Sequence, residues 1–146
     1  MDSNLCRLFL LPYLSGLVCQ LIKIFNHWIL KKSFNFNVRT LLELGGLPSA
    51  HSAATITLTT LILLYYGIDS PLFIISLFLS IFIMGEAFVV RGVISQHSEL
   101  IKKLAEVNPE GKIDITSFPG KIGHTPVEVI FGVIFGVFFA LAFAGI

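Results

Sequence analysis

The chain has 146 residues, of which 55% are hydrophobic and only 13% charged, with a net charge of +1 and a mean hydropathy of +0.87. Soluble domains carry about 25% charged residues, so this chain lacks the polar surface to cover itself in water and reads as one lipid-solvated unit spanning residues 1–146. No basic stripe interleaved with aromatics is present, so nothing points to nucleic acid.

Four stretches are long and apolar enough to approach the roughly 20 residues a membrane span needs. The first runs from about Leu5 to Leu30, with Lys23, Asn26 and His27 in its far end. Its start lacks the basic leader and small-residue cleavage pattern of a signal peptide, so it is read as a retained span. Cys6 and Cys19 fall on this one helix, roughly 20 Å apart, too far to bridge each other. With no Cys-x-x-Cys pair, cysteine-based zinc or redox chemistry is not expected.

The second span runs from about Ser49 to Tyr66, and the turn from Gly67 to Ser70 leads into a third from about Pro71 to Val90. Val93, Ile94, His97, Leu100, Ile101, Leu104 and Val107 then follow at helical spacing. They predict an amphipathic helix lying at the interface and stopped by Asn108-Pro109. Lys112 to Lys121 reads as loop, and the fourth span runs from about Pro126 to Ile146. The expected fold is an all-α, polytopic bundle of about four spans plus that interfacial helix.

With four spans, both long connections share one side of the membrane. That side holds Lys31, Lys32, Arg39, Arg91, Lys102, Lys103, Lys112 and Lys121, against Arg7 alone on the other. The positive-inside rule therefore predicts loops in the cytoplasm and termini outside.

Two segments carry the residues with the most chemistry. Gly45-Gly46-Leu47-Pro48-Ser49-Ala50-His51-Ser52 is a glycine loop opening directly into a helix. Free N–H groups of the first turn, the Ser49 and Ser52 hydroxyls and the positive helix end suit an oxyanion, and His51 can protonate a leaving oxygen. The same residues also make an ordinary serine-capped helix start. In Gly123-His124-Thr125-Pro126-Val127-Glu128, a carboxylate four residues past a histidine can hold one imidazole nitrogen and free the other to attack. Thr125-x-x-Glu128 is equally a capping box with proline at the first helical position. The two readings coexist, because a capping glutamate folds back toward the residue before the cap.

The remaining charges near the membrane are Lys23, two turns inside the first span, Arg39 and Arg91 flanking the second and third, and Glu86 inside the third. Lys23 can snorkel to the headgroups. The arginines can simply set topology. An acid placed like Glu86 needs a partner and would sooner orient a cationic group than touch phosphate. His97 and His27 are read as packing and interfacial residues.

Together these segments resemble the divergent branch of the phosphatidic acid phosphatase type 2 superfamily, which includes the vanadium haloperoxidases. The resemblance runs from Gln20-Leu21-Ile22-Lys23 to the last span. It is carried by Gly45 to Ala53, by Gly123 to Val129, and between them by Ile83-Met84-Gly85-Glu86-Ala87 and Val90-Arg91. It implies hydrolysis or transfer of phosphate from a membrane lipid, such as a phosphatidate or an isoprenoid phosphate, with no metal or other cofactor. His124 would be the nucleophile, Glu128 its orienting partner and His51 the general acid. Lys23, Arg39, Arg91, Ser49 and the Ala50 N–H would hold the phosphate, with Glu86, Ser52 and Gly46 in support.

The sequence departs from the branch at Gly92 and Gln96, where a second arginine and a lysine are usual, and at Glu86, usually aspartate. In the stretch from Phe118 to Gly123, just before His124, the only cation is Lys121, where the superfamily places an arginine. Two other readings fit the same basic face: a non-catalytic module that binds anionic headgroups or a partner, and a transporter or channel subunit. Gly132 and Gly136 are spaced for close helix packing, either within the chain or between copies in a homo-oligomer.

Overall fold

A computed structural model describes residues 3–31, 46–107 and 125–145, with the side chains of 27–31, 88, 90, 91 and 95 outside that description. Among the described residues there are four helices: α1 (Ser3–Lys31), α2 (Ala50–Tyr66), α3 (Pro71–Val107) and α4 (Pro126–Phe143). Among the described residues there is no strand.

Long apolar runs form α1, α3 and α4, each long and apolar enough to cross a membrane. At 17 residues α2 is the shortest, about 25 Å against a hydrocarbon core of about 30 Å. It is also the central helix, packed against all three others. Its alanines, serines and threonines suit that place, because small side chains let neighbouring backbones close in.

The turn after α2 is as tight as the sequence predicts. Gly67 takes φ 82°, a conformation that favours glycine, and its N–H caps Leu63 C=O at 2.9 Å. The chain then doubles back, and α2 and α3 are tied by buried hydroxyls. Thr59 Oγ1 lies 2.8 Å from Ser80 Oγ and donates to Ser76 C=O at 3.2 Å, while Ser80 Oγ donates to Thr55 C=O at 3.2 Å. In lipid, where apolar burial gives helices little drive to associate, such bonds fix register.

The third span and the amphipathic helix are a single unbroken helix of 37 residues. That is about 55 Å, well beyond the hydrocarbon core. Nothing in the sequence interrupts it: Gly85 and Gly92 are isolated glycines, which a helix tolerates, and the next proline is Pro109.

Gly132 and Gly136 face α2. A Cβ on Gly132 would lie 2.5 Å from Ser49 C=O, and one on Gly136 would lie 2.6 Å from Ala53 C=O. Thr57 Oγ1 donates to Gly136 C=O at 3.2 Å across the same contact. The glycine spacing therefore serves packing within the chain.

At the other end of the bundle, Leu61, Ala140 and Ala144 form a core covered by Leu8, Leu11, Leu64 and Tyr65. Arg7 Nη1 and Tyr65 Oη both donate to Ala144 C=O, at 2.7 and 2.8 Å. A cation on the last carbonyls of a helix also meets its negative dipole end. Arg7→Leu is expected to cost about 1–2 kcal/mol of stability, by loss of a charged hydrogen bond. Thermal unfolding in detergent measures this, and chemistry at the opposite end of the bundle should be unchanged.

Candidate functional site

The site is built where the starts of α2 and α4 meet beside α1. Gly46 enters at φ 111°, in the left-handed region that glycine allows. The aliphatic stem of Lys23 lies against it: a Cβ there would be 3.6 Å from Lys23 Cδ. The chain passes through a cis Leu47–Pro48 bond to Ser49, the N-cap of α2.

Ser49 Oγ accepts from Ser52 N–H at 3.4 Å and from Ser52 Oγ at 3.0 Å. Its carbonyl accepts from Ala53 N–H at 3.0 Å. Both serines are fully buried, while Ala50 and His51 are half-buried. Thr55 Oγ1 donates to His51 C=O at 3.0 Å, which fixes the turn that carries the histidine.

The α4 side is a capping box. Thr125 N–H donates to Glu128 Oε2 at 2.9 Å, and Glu128 N–H donates to Thr125 Oγ1 at 3.3 Å. Glu128 is only 9% exposed, and its carboxylate is folded back onto the peptide that joins Thr125 to the residue before it. The two motifs meet directly, because Ser49 N–H donates to Glu128 C=O at 3.0 Å. Lys23 completes the group, near enough to Glu128 for their charges to interact. Lys23 is half-buried, with its stem against Gly46.

Of the residues singled out in the sequence, Lys23, Gly46, Ser49, Ala50, His51, Ser52 and Glu128 therefore gather at one end of the bundle. His124 and Arg39 lie outside the described residues. Arg91 is described by its backbone alone. Eleven residues separate Ser80 from position 91, about 16 Å of helix, and six separate Thr55 from Ser49, about 9 Å. Position 91 thus stands about 7 Å past Ser49 along the bundle, on the α3 face that also carries Ser80 and Ala87.

Glu86 does not join the group. It is exposed, one residue and so about 100° around the helix from buried Ala87.

Three further residues shape the site. Gly132 admits Ser49 and Ser52 against α4. Gly16 lies opposite Ala50 and Ala54, and Cys19 is fully buried one turn before Lys23. Their signal is positional. Glu128, Gly132, Gly136 and Ala140 form one i, i+4 stripe on α4, all buried. Ser15, Cys19 and Lys23 form the equivalent stripe on α1.

The arrangement offers an anion a lysine, a helix N-terminus and serine hydroxyls, with a histidine and a carboxylate beside them. The family model described as the divergent PAP2 family matches residues 6–139. An uncharacterized membrane protein of Bacillus subtilis (strain 168), YuiD, is 31% identical over 137 residues, covering 83% of this chain and 85% of that protein. No solved structure matches the chain.

Proposed function

Because the chain belongs to the divergent PAP2 family, we propose that it is a membrane enzyme that hydrolyses or transfers the phosphate of a lipid phosphate. The observation that carries this reading is the junction of the two motifs. The Ser49 N–H bond to Glu128 C=O, 3.0 Å long, joins the residues of general acid and phosphate binding to the residue that would orient the nucleophile.

In the proposed reaction, Lys23, Arg39, Arg91, the Ser49 hydroxyl and the Ala50 N–H hold the phosphate oxygens. Glu128 holds one nitrogen of the His124 ring, and the other attacks phosphorus. A P–N bond forms as the bond to the lipid oxygen breaks, and that oxygen takes the proton of His51. Neutral His51 then removes a proton from water, which attacks the phosphohistidine and frees phosphate. A phosphatidate or an isoprenoid phosphate fits this scheme, with its head at the membrane face and its chain in the bilayer. The positive-inside distribution supports a site that opens to the cytoplasm.

The test is an assay of purified protein in detergent, with chelator present, on a panel of phosphatidates, isoprenoid phosphates and diphosphates. Release of inorganic phosphate is expected on at least one of them, with inhibition by vanadate. Lys23→Met should weaken it about tenfold or more, as loss of a charged contact to the phosphate. Binding of anionic lipid without turnover on any substrate would reject the enzyme and favour a headgroup-binding module, to which Gly92 and Gln96 already lend support.

A further inference from the structure

We infer that Ser52 is a positioning residue that makes the Ser49 hydroxyl a dedicated hydrogen-bond donor for an oxyanion. The inference rests on the phosphate-handling reading and deepens it by one residue.

A serine oxygen has one hydrogen to give and two lone pairs with which to accept. At Ser49 both acceptor positions are filled by the same partner, the N–H of Ser52 at 3.4 Å and its hydroxyl at 3.0 Å. What remains of the group is its hydrogen, and no acceptor for it is present among the described residues. Ser49 is fully buried, so this is a costly donor to leave unspent. A ligand atom that meets Ser49 must therefore accept. The deprotonated oxygens of a phosphate or vanadate do so, whereas a group that can only donate finds no lone pair.

Two features strengthen the effect. A hydroxyl whose oxygen already accepts is the stronger donor, since bonds in a chain polarise one another. Ser52 is also held in place, because the position a Cβ would take on Gly132 is 2.8 Å from Ser52 Cβ. The backbone of α4 thus packs closely on the Ser52 side chain.

The experiment is a titration of the purified protein with orthovanadate and, separately, with inorganic phosphate. Ser52→Ala is expected to weaken both about five- to tenfold, while its thermal unfolding stays near that of the wild type. Ser52→Cys keeps a weak donor of similar size and should fall between. In a Ser49→Ala background the further change Ser52→Ala should have no effect, since Ser52 acts only through Ser49. A helix-stabilising role alone would give the same loss in both backgrounds. That result, or unchanged affinity in Ser52→Ala, overturns the inference and leaves the proposed function standing. Failure of the wild-type protein to bind either anion overturns both.

Discussion

Phosphate release is expected to fall about 10³-fold or more in His124→Ala, because the proposed reaction takes its nucleophile from His124. The informative companion is Glu128. Its carboxylate already has a structural task, accepting Thr125 N–H at 2.9 Å. Glutamine can perform that task equally well, since a capping box takes either residue. Glutamine lacks the negative charge that, in the proposed reaction, would favour the positive imidazole formed on His124. Glu128→Gln should therefore keep the thermal stability of the wild type while losing roughly 10²-fold in turnover. Glu128→Ala should lose the same activity and also about 1 kcal/mol of stability, through loss of the cap. Single-turnover assays with radiolabelled lipid phosphate measure the rate, and an acid-labile, base-stable label on the protein reports the phosphohistidine. Wild-type turnover in Glu128→Gln would reduce Glu128 to a helix cap.

Much of the site was legible because it sits at the ends of helices, where local sequence dictates structure. Ser49 before α2 and Thr125-Pro126 before α4 are start signals, and both helices begin at the residues those signals name. The burial of Glu128 has a positional signal, since it opens the small-residue stripe Glu128, Gly132, Gly136 and Ala140 on α4, and Lys23 closes the stripe of Ser15 and Cys19 on α1. What local pattern does not contain is the partner. The spacing of Gly132 and Gly136 is the same whether it faces α2 or a second copy, and only the close approach of Ser49 and Ala53 decides. Arg7 reads as one isolated cation until Ala144, 137 residues away, is placed beside it. The separation of the third span from the amphipathic helix followed from a change in hydrophobic pattern. A change of pattern alters which faces are apolar, but without a proline it does not break a helix. Glu86 was grouped with the site by its depth in the span. Its exposure depends on its angle around α3, which the buried Ser76, Ser80 and Ala87 set.

The close approach at Gly132 leads to the second large effect. A Cβ there would lie 2.5 Å from Ser49 O, 2.8 Å from Ser52 Cβ and 3.1 Å from Ser49 Cβ. The first is a backbone atom, already bonded to Ala53 N–H at 3.0 Å, so it cannot yield without moving the start of α2. Gly132→Ala must then push α4 outward, stretching the bond from Ser49 N–H to Glu128 C=O and separating the two halves of the site. Overpacking of this kind costs about 1–3 kcal/mol, and catalytic geometry tolerates far less displacement than stability does. The expected result is a loss of about 10²-fold in turnover with a modest drop in unfolding temperature, and a misassembled protein in Gly132→Leu. Gly136→Ala is the control. A Cβ at that position would lie 2.6 Å from Ala53 O and 3.2 Å from Ala53 Cα and Ile56 Cβ, one turn below the site. It should lower stability by a similar amount while sparing more of the activity. Were the two glycines instead an interface between copies, both substitutions would lower cross-linking yield together and leave vanadate affinity unchanged.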